Sequence, residues 1–91
     1  MDLTRMDLAS LQAYEAALDA FISNVKKRCS TMHSGIASAN AYMKDPTSQT
    51  ILKKSTAAVQ QIESCLPGTE KLLELVRAEI EHLSNEPQLG L

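Results

Sequence analysis

The stretch Lys44-Asp45-Pro46-Thr47-Ser48 decides how this chain folds. Asp45 has the short acceptor side chain of a helix N-cap. Pro46 follows at the first helical position, where a missing N–H loses nothing. The Asp45 carboxylate also falls at the positive end of the new helix dipole. One helix must stop before this pentapeptide and another must start within it, so it reads as the hinge of a hairpin, with the turn at 44–47.

On both sides of the hinge, apolar residues recur at alternating steps of three and four. Toward the N-terminus the run is Leu8, Leu11, Glu15, Leu18, Ile22, Val25, Cys29, Met32, Ile36, Ala39 and Met43. Toward the C-terminus it is Leu52, Ser55, Val59, Ile62, Leu66, Thr69, Leu73, Val76, Ile80 and Leu83. This is the 3.5-residue repeat of a helix packed along another helix. Glu15 is the one badly placed residue of the first run, and Tyr14 beside it can cover that turn. Gly35 weakens the first helix by about 1 kcal/mol relative to Ala without shifting its phase.

The second run passes through Pro67-Gly68 in register. That predicts one long helix kinked at Pro67, because proline cannot donate to the Glu63 carbonyl and its ring crowds that turn. A break into two helices, with Thr69 capping the later one, is the competing reading. Ser84-Asn85-Glu86-Pro87 is a stop signal. The expected organisation is a single domain over 1–91, with a first helix at about 6–43, a second at about 47–84 and a tail at 85–91.

The two runs also fit each other. Met43 pairs with Leu52, Ile36 with Val59, Met32 with Ile62, Ile22 with Leu73 and Leu18 with Val76. A step of four along one run is matched by a step of three back along the other, and the reverse, so the two keep pace every seven residues and the centre falls at Thr47, inside the turn. The fold class is therefore all-α, a two-helix antiparallel hairpin.

Composition narrows the function. The chain has 91 residues, 44% hydrophobic and 22% charged, with a formal net charge of −2. That balance gives no clustered basic surface for nucleic acid. Lys26-Lys27-Arg28 and Lys53-Lys54 read as solvated helix faces. No apolar stretch approaches the roughly 20 residues that span a bilayer. The N-terminus lacks the basic and apolar regions of a secretory signal, so a cytoplasmic protein is expected, with any export following a signal-independent route alongside a partner.

Catalysis needs convergent groups, and none are in view. His33 and His82 lie far apart in the hairpin and read as surface histidines. The glycines are isolated, so there is no phosphate loop. Glu70, Glu74, Arg77 and Glu81 are spaced to support one another along the helix surface. No enzyme, cofactor, metal or small-molecule substrate is expected. Cys29 and Cys65 fall opposite each other near the seam. They are either two buried thiols serving as small apolar side chains or an interhelical disulfide formed in an oxidising compartment.

A two-helix hairpin has one buried seam, and a thin core favours a partner. Tyr14, Ala17 and Phe21 flank the stripe in the first helix, and Leu72 and Leu75 flank it in the second. Both sets fall at the open end, near Leu3 and Met6, whereas the hinge end reads as mostly Ser, Thr, Lys and Asn. These five residues are the expected partner-binding set, through helix-in-groove or four-helix-bundle packing with a helical protein or a second copy.

A signal-less helical hairpin of this size, with a central turn, resembles the WXG-like proteins of type VII secretion over about Leu8 to Leu83. The resemblance implies pairing into a four-helix bundle. It also implies an accessory or targeting role toward the helical N-terminal region of an LXG-type toxin. The Trp-x-Gly of that family is replaced here by Met43-Lys44-Asp45-Pro46, and its Tyr-x-x-x-Asp/Glu export signal is missing from Ser84-Asn85-Glu86-Pro87-Gln88-Leu89. With its Asp-Pro turn, the chain also resembles the small hairpin co-chaperones of type III secretion, which implies shielding of a needle subunit. A homodimeric helical adaptor is the third reading.

Overall fold

The hinge forms as its chemistry dictates. In the computed structural model, which describes the backbone of residues 3–85 and the side chains of 7–85, Asp45 takes an extended conformation (φ −71°, ψ 154°). Its carboxylate accepts the backbone N–H of Ser48 at 3.0 Å, and its carbonyl accepts that of Gln49 at 3.0 Å. Pro46 opens the helix without leaving a donor unsatisfied. Gln49 then ties the arms together, its side-chain amide donating to Asn40 Oδ1 at 3.1 Å and to the Met43 carbonyl. That carbonyl lies just beyond the preceding helix, where partners are otherwise lacking.

Helix α1 spans Leu3–Tyr42, α2 Pro46–Glu63 and α3 Leu66–Asn85. The described residues contain no strand. α1 is one arm of the hairpin, and α2 with α3 is the other, bent at Ser64–Cys65. The molecule is a rod of 72 × 16 × 15 Å. Of the expected tail, residues 86–91 lie outside the described residues, as do the side chains of Leu3 and Met6.

The kink expected at Pro67 lies at 64–65 instead. The proline disturbs the turn before it, because the Glu63 carbonyl has no N–H at position 67 to accept. Ser64 N–H still reaches the Gln60 carbonyl at 2.9 Å, whereas Cys65 N–H donates three residues back, to Ile62, at 3.1 Å. Ser64 stays right-handed (φ −66°, ψ −15°), so the chain bends without reversing. Thr69 does not cap a new helix. Its hydroxyl donates back to the Cys65 carbonyl at 2.9 Å, inside the first turns of α3.

Every α1 side chain from Asp7 onward that is not exposed belongs to the three-and-four run read from the sequence. The core cluster is Leu18, Ile22, Leu73 and Val76, with Leu11, Leu66 and Ile80 packed on it. It joins α1 to α3. Fully burying an aliphatic side chain of this size stabilises by roughly 1.5–3 kcal/mol, and this cluster holds the open half of the hairpin together. Toward the hinge, Val59 is fully buried and Cys29 nearly so. Met32 and Ile62, placed opposite each other by the register, stay 43% and 46% exposed.

Candidate interaction surface

A seam between two helices has two flanks, and in an antiparallel pair the residues on each flank face one another every seven positions. On one flank, α1 carries Asp19, Lys26, His33 and Asn40. All four find polar partners on the second arm. Lys26 Nζ lies 3.2 Å from Glu70 Oε2, His33 Nε2 is 2.9 Å from Glu63 Oε1, and Arg77 approaches Asp19 Oδ1 at 3.7 Å. Asn40 accepts from Gln49. From Glu63 to Glu70 to Arg77 the partners move seven residues one way as His33, Lys26 and Asp19 move seven the other. The bend at 64–65 therefore leaves the register unchanged.

Arg77 also explains Glu15, the charge in the apolar run. Its Nε–H donates to Glu15 Oε2 at 2.8 Å, and this hydrogen bond raises the guanidinium further above its usual pKa. Glu70 and Arg77, read from spacing as along-helix partners, thus direct charge across the hairpin.

The other flank carries Tyr14, Phe21, Arg28, Gly35 and Tyr42 on α1, facing Glu79, Leu72, Cys65, Ala58 and Ile51 on the second arm. All ten are exposed. The three aromatic residues of the chain thus share one row at seven-residue multiples. Ala17 and Leu75 stand beside this row, also exposed. Phe21 is 56% exposed, Leu75 60% and Tyr42 88%. Among the described residues, the exposed large hydrophobic side chains are either on this flank or at the seam positions Met32, Met43 and Ile62.

The five residues expected to bind a partner are therefore all solvent-accessible and on one flank. Two expectations need correction. The hinge end, though mostly polar as expected, also exposes Tyr42, Met43 and Ile51; exposed apolar side chains therefore stand toward both ends of this flank, with Arg28, Gly35, Ala58 and Cys65 between them, rather than at the open end alone. And the two cysteines do not share the seam. Cys29 is buried, Cys65 is exposed, and both are free thiols. Cys65 belongs to the flanking row, one position short of the seam residue Leu66, so its side chain is turned outward, away from Cys29. The spacing of Tyr14, Phe21 and Tyr42 was the sequence signal for the long flank.

The remaining chemistry is diffuse. An open groove of about 680 Å³ near the hinge is lined by Ile36, Asn40, Gln49, Lys53, Thr56 and Gln60 among others. Cys29 and His33 stand one helical turn apart, yet Cys29 is buried in the seam while His33 meets Glu63 on the polar flank. Among the described residues no three His, Cys, Asp or Glu side chains are grouped as a metal site would need, and no helix is long and apolar enough to cross a membrane. Comparison with family models, characterised proteins and solved structures gives no match.

Proposed function

We propose that this chain is a non-enzymatic protein-interaction module that docks its apolar flank on the helices of another protein, completing a four-helix bundle. One observation carries the reading: the flank closed by polar contacts is matched, across the same seam, by a flank that exposes Tyr14, Phe21, Leu72 and Leu75 toward the open end and Tyr42 and Ile51 at the hinge. Exposed apolar rows of this length on a small hairpin mark contact surfaces. The resemblance to WXG-like hairpins supports a type VII accessory or targeting role, with the helical N-terminal region of an LXG-type toxin as the docked partner.

Co-expression of the chain with the N-terminal region of an LXG-type toxin tests this. A complex should co-purify from the wild type and from Arg77→Ala, and be lost with Phe21→Glu or Leu75→Glu. A complex that ignores Phe21 and Leu75, or depends on Arg77 instead, would remove the assignment of the surface.

A further inference from the structure

Resting on the docking surface just proposed, we infer that its occupant is an acidic amphipathic helix of another protein, whose carboxylate end is taken by Arg28 and Lys27. α1 divides the basic run Lys26-Lys27-Arg28 between faces, because successive residues of a helix stand about 100° apart. Lys26 is delivered to the polar flank, where it meets Glu70. Arg28 stands in the apolar row, seven residues from Phe21 on one side and from Gly35 on the other, and Lys27 lies next to it toward the outer face. With Asn24, Thr31 and Met32 these two cations line an open recess of about 410 Å³. The Thr31 hydroxyl is already engaged with the Lys27 carbonyl, to which it donates at 3.1 Å. The recess therefore offers two cationic heads and the Asn24 amide beside the half-exposed thioether of Met32. None of its lining residues carries a carboxylate.

Among the described residues nothing neutralises those cations. Between residues 24 and 66 the carboxylate side chains are Asp45 and Glu63 alone. Asp45 caps α2 through Ser48, and Glu63 meets His33. Lys27 and Arg28 are exposed and stand outside every ion pair of the described residues. The flank thus changes character along the rod, from Phe21, Leu72 and Leu75 in the open half to uncompensated positive charge one heptad nearer the hinge. A helix laid along it must match both parts in order. Apolar side chains cover Phe21, Leu72 and Leu75, and carboxylates follow about seven residues later, since seven residues span roughly 10 Å in either helix. A guanidinium takes a carboxylate through two parallel N–H bonds, so Arg28 sets the direction in which the helix lies as well as its charge. An anionic membrane would also draw apolar and basic side chains together. Glu79 argues against it: exposed in the same row opposite Tyr14, it would be pressed onto like charge, whereas a helix can meet it with a cation.

Two synthetic amphipathic helices test this on the full chain by fluorescence anisotropy. Both carry the same Leu stripe, and beyond it one carries Glu where the other carries Lys. The Glu peptide should bind at least tenfold more tightly at low salt, and the margin should shrink as salt screens it. Arg28→Glu combined with Lys27→Glu should reverse the preference with helix content unchanged. Lys53→Glu with Lys54→Glu, the same change of net charge made in the groove near the hinge, should leave it as it was. Equal binding of both peptides to the wild type, or a preference that moves as much with Lys53 and Lys54 as with Arg28 and Lys27, overturns the inference. So does a chain that takes neither peptide; sedimentation with phosphatidylserine vesicles would then name a membrane as the occupant. If Phe21→Glu still releases two equally bound peptides, the docking surface stands and only its charge preference falls. If Phe21→Glu releases neither, the surface fails as well.

Discussion

The polar flank spends charge on closing the hairpin, through Lys26–Glu70, His33–Glu63 and Arg77 with Glu15 and Asp19. The apolar flank, one seam-width away, holds Tyr14, Phe21, Leu72 and Leu75 in solvent. Both border the same core, so the contrast comes from the seven-residue rows alone. Exposed ion pairs contribute little stability each, and the apolar seam sets the register, but the pairs all stand on one flank and close it. They therefore settle which flank is left over.

The contrast can be broken most severely from beneath. Leu73 packs with Leu18, Ile22 and Val76 under both flanks, so Leu73→Ala should cost about 2–5 kcal/mol, read by urea denaturation. A cost well below that range would mean the shared core is misplaced. Gly35→Ala acts on the apolar flank in the opposite sense. It should stabilise the monomer by up to about 1 kcal/mol through helix propensity, provided the site is as open as the structure has it; a lower melting temperature in dilute solution would contradict that.

Acidification sharpens the comparison by acting at the hinge. The Ser48 hydrogen bonds hold the Asp45 carboxyl below its ordinary value of 3.8. For a depressed carboxylate the stabilisation is complete above the unfolded value and is lost as pH falls through the lower folded one. The melting temperature should thus drop more in that acid range for the wild type than for Asp45→Asn, which keeps a capping side chain that does not titrate. Equal losses in both would clear Asp45 of the effect. The smallest change in stability is expected from Phe21→Ala, within about 0.5 kcal/mol of wild type, although it should abolish docking. A large destabilisation would place Phe21 in the fold rather than on a contact surface.

Much of this was legible in one dimension. Helical periodicity placed Leu18, Ile22, Leu73 and Val76 on the seam, because a buried stripe repeats at the pitch of the helix that carries it. The hinge was legible because Asp45 and Pro46 act through their own backbone. Pro67 announced a disturbance but not its position, since the strain is relieved in the turn before the ring, where Cys65 N–H shifts to the Ile62 carbonyl. The thiols were misjudged for a related reason. Cys65 is one position away from the seam residue Leu66, and one position turns a helical side chain by about 100°.

From the sequence alone came the helical arms, their outer boundaries to within a few residues and the antiparallel register. All of these depend on spacing along the chain. Only the packed hairpin decided which flank is closed and which is bare, because that depends on Lys26, His33 and Arg77 meeting partners 30 or more residues away. Spacing within one helix cannot say on which side of the other helix those partners will stand.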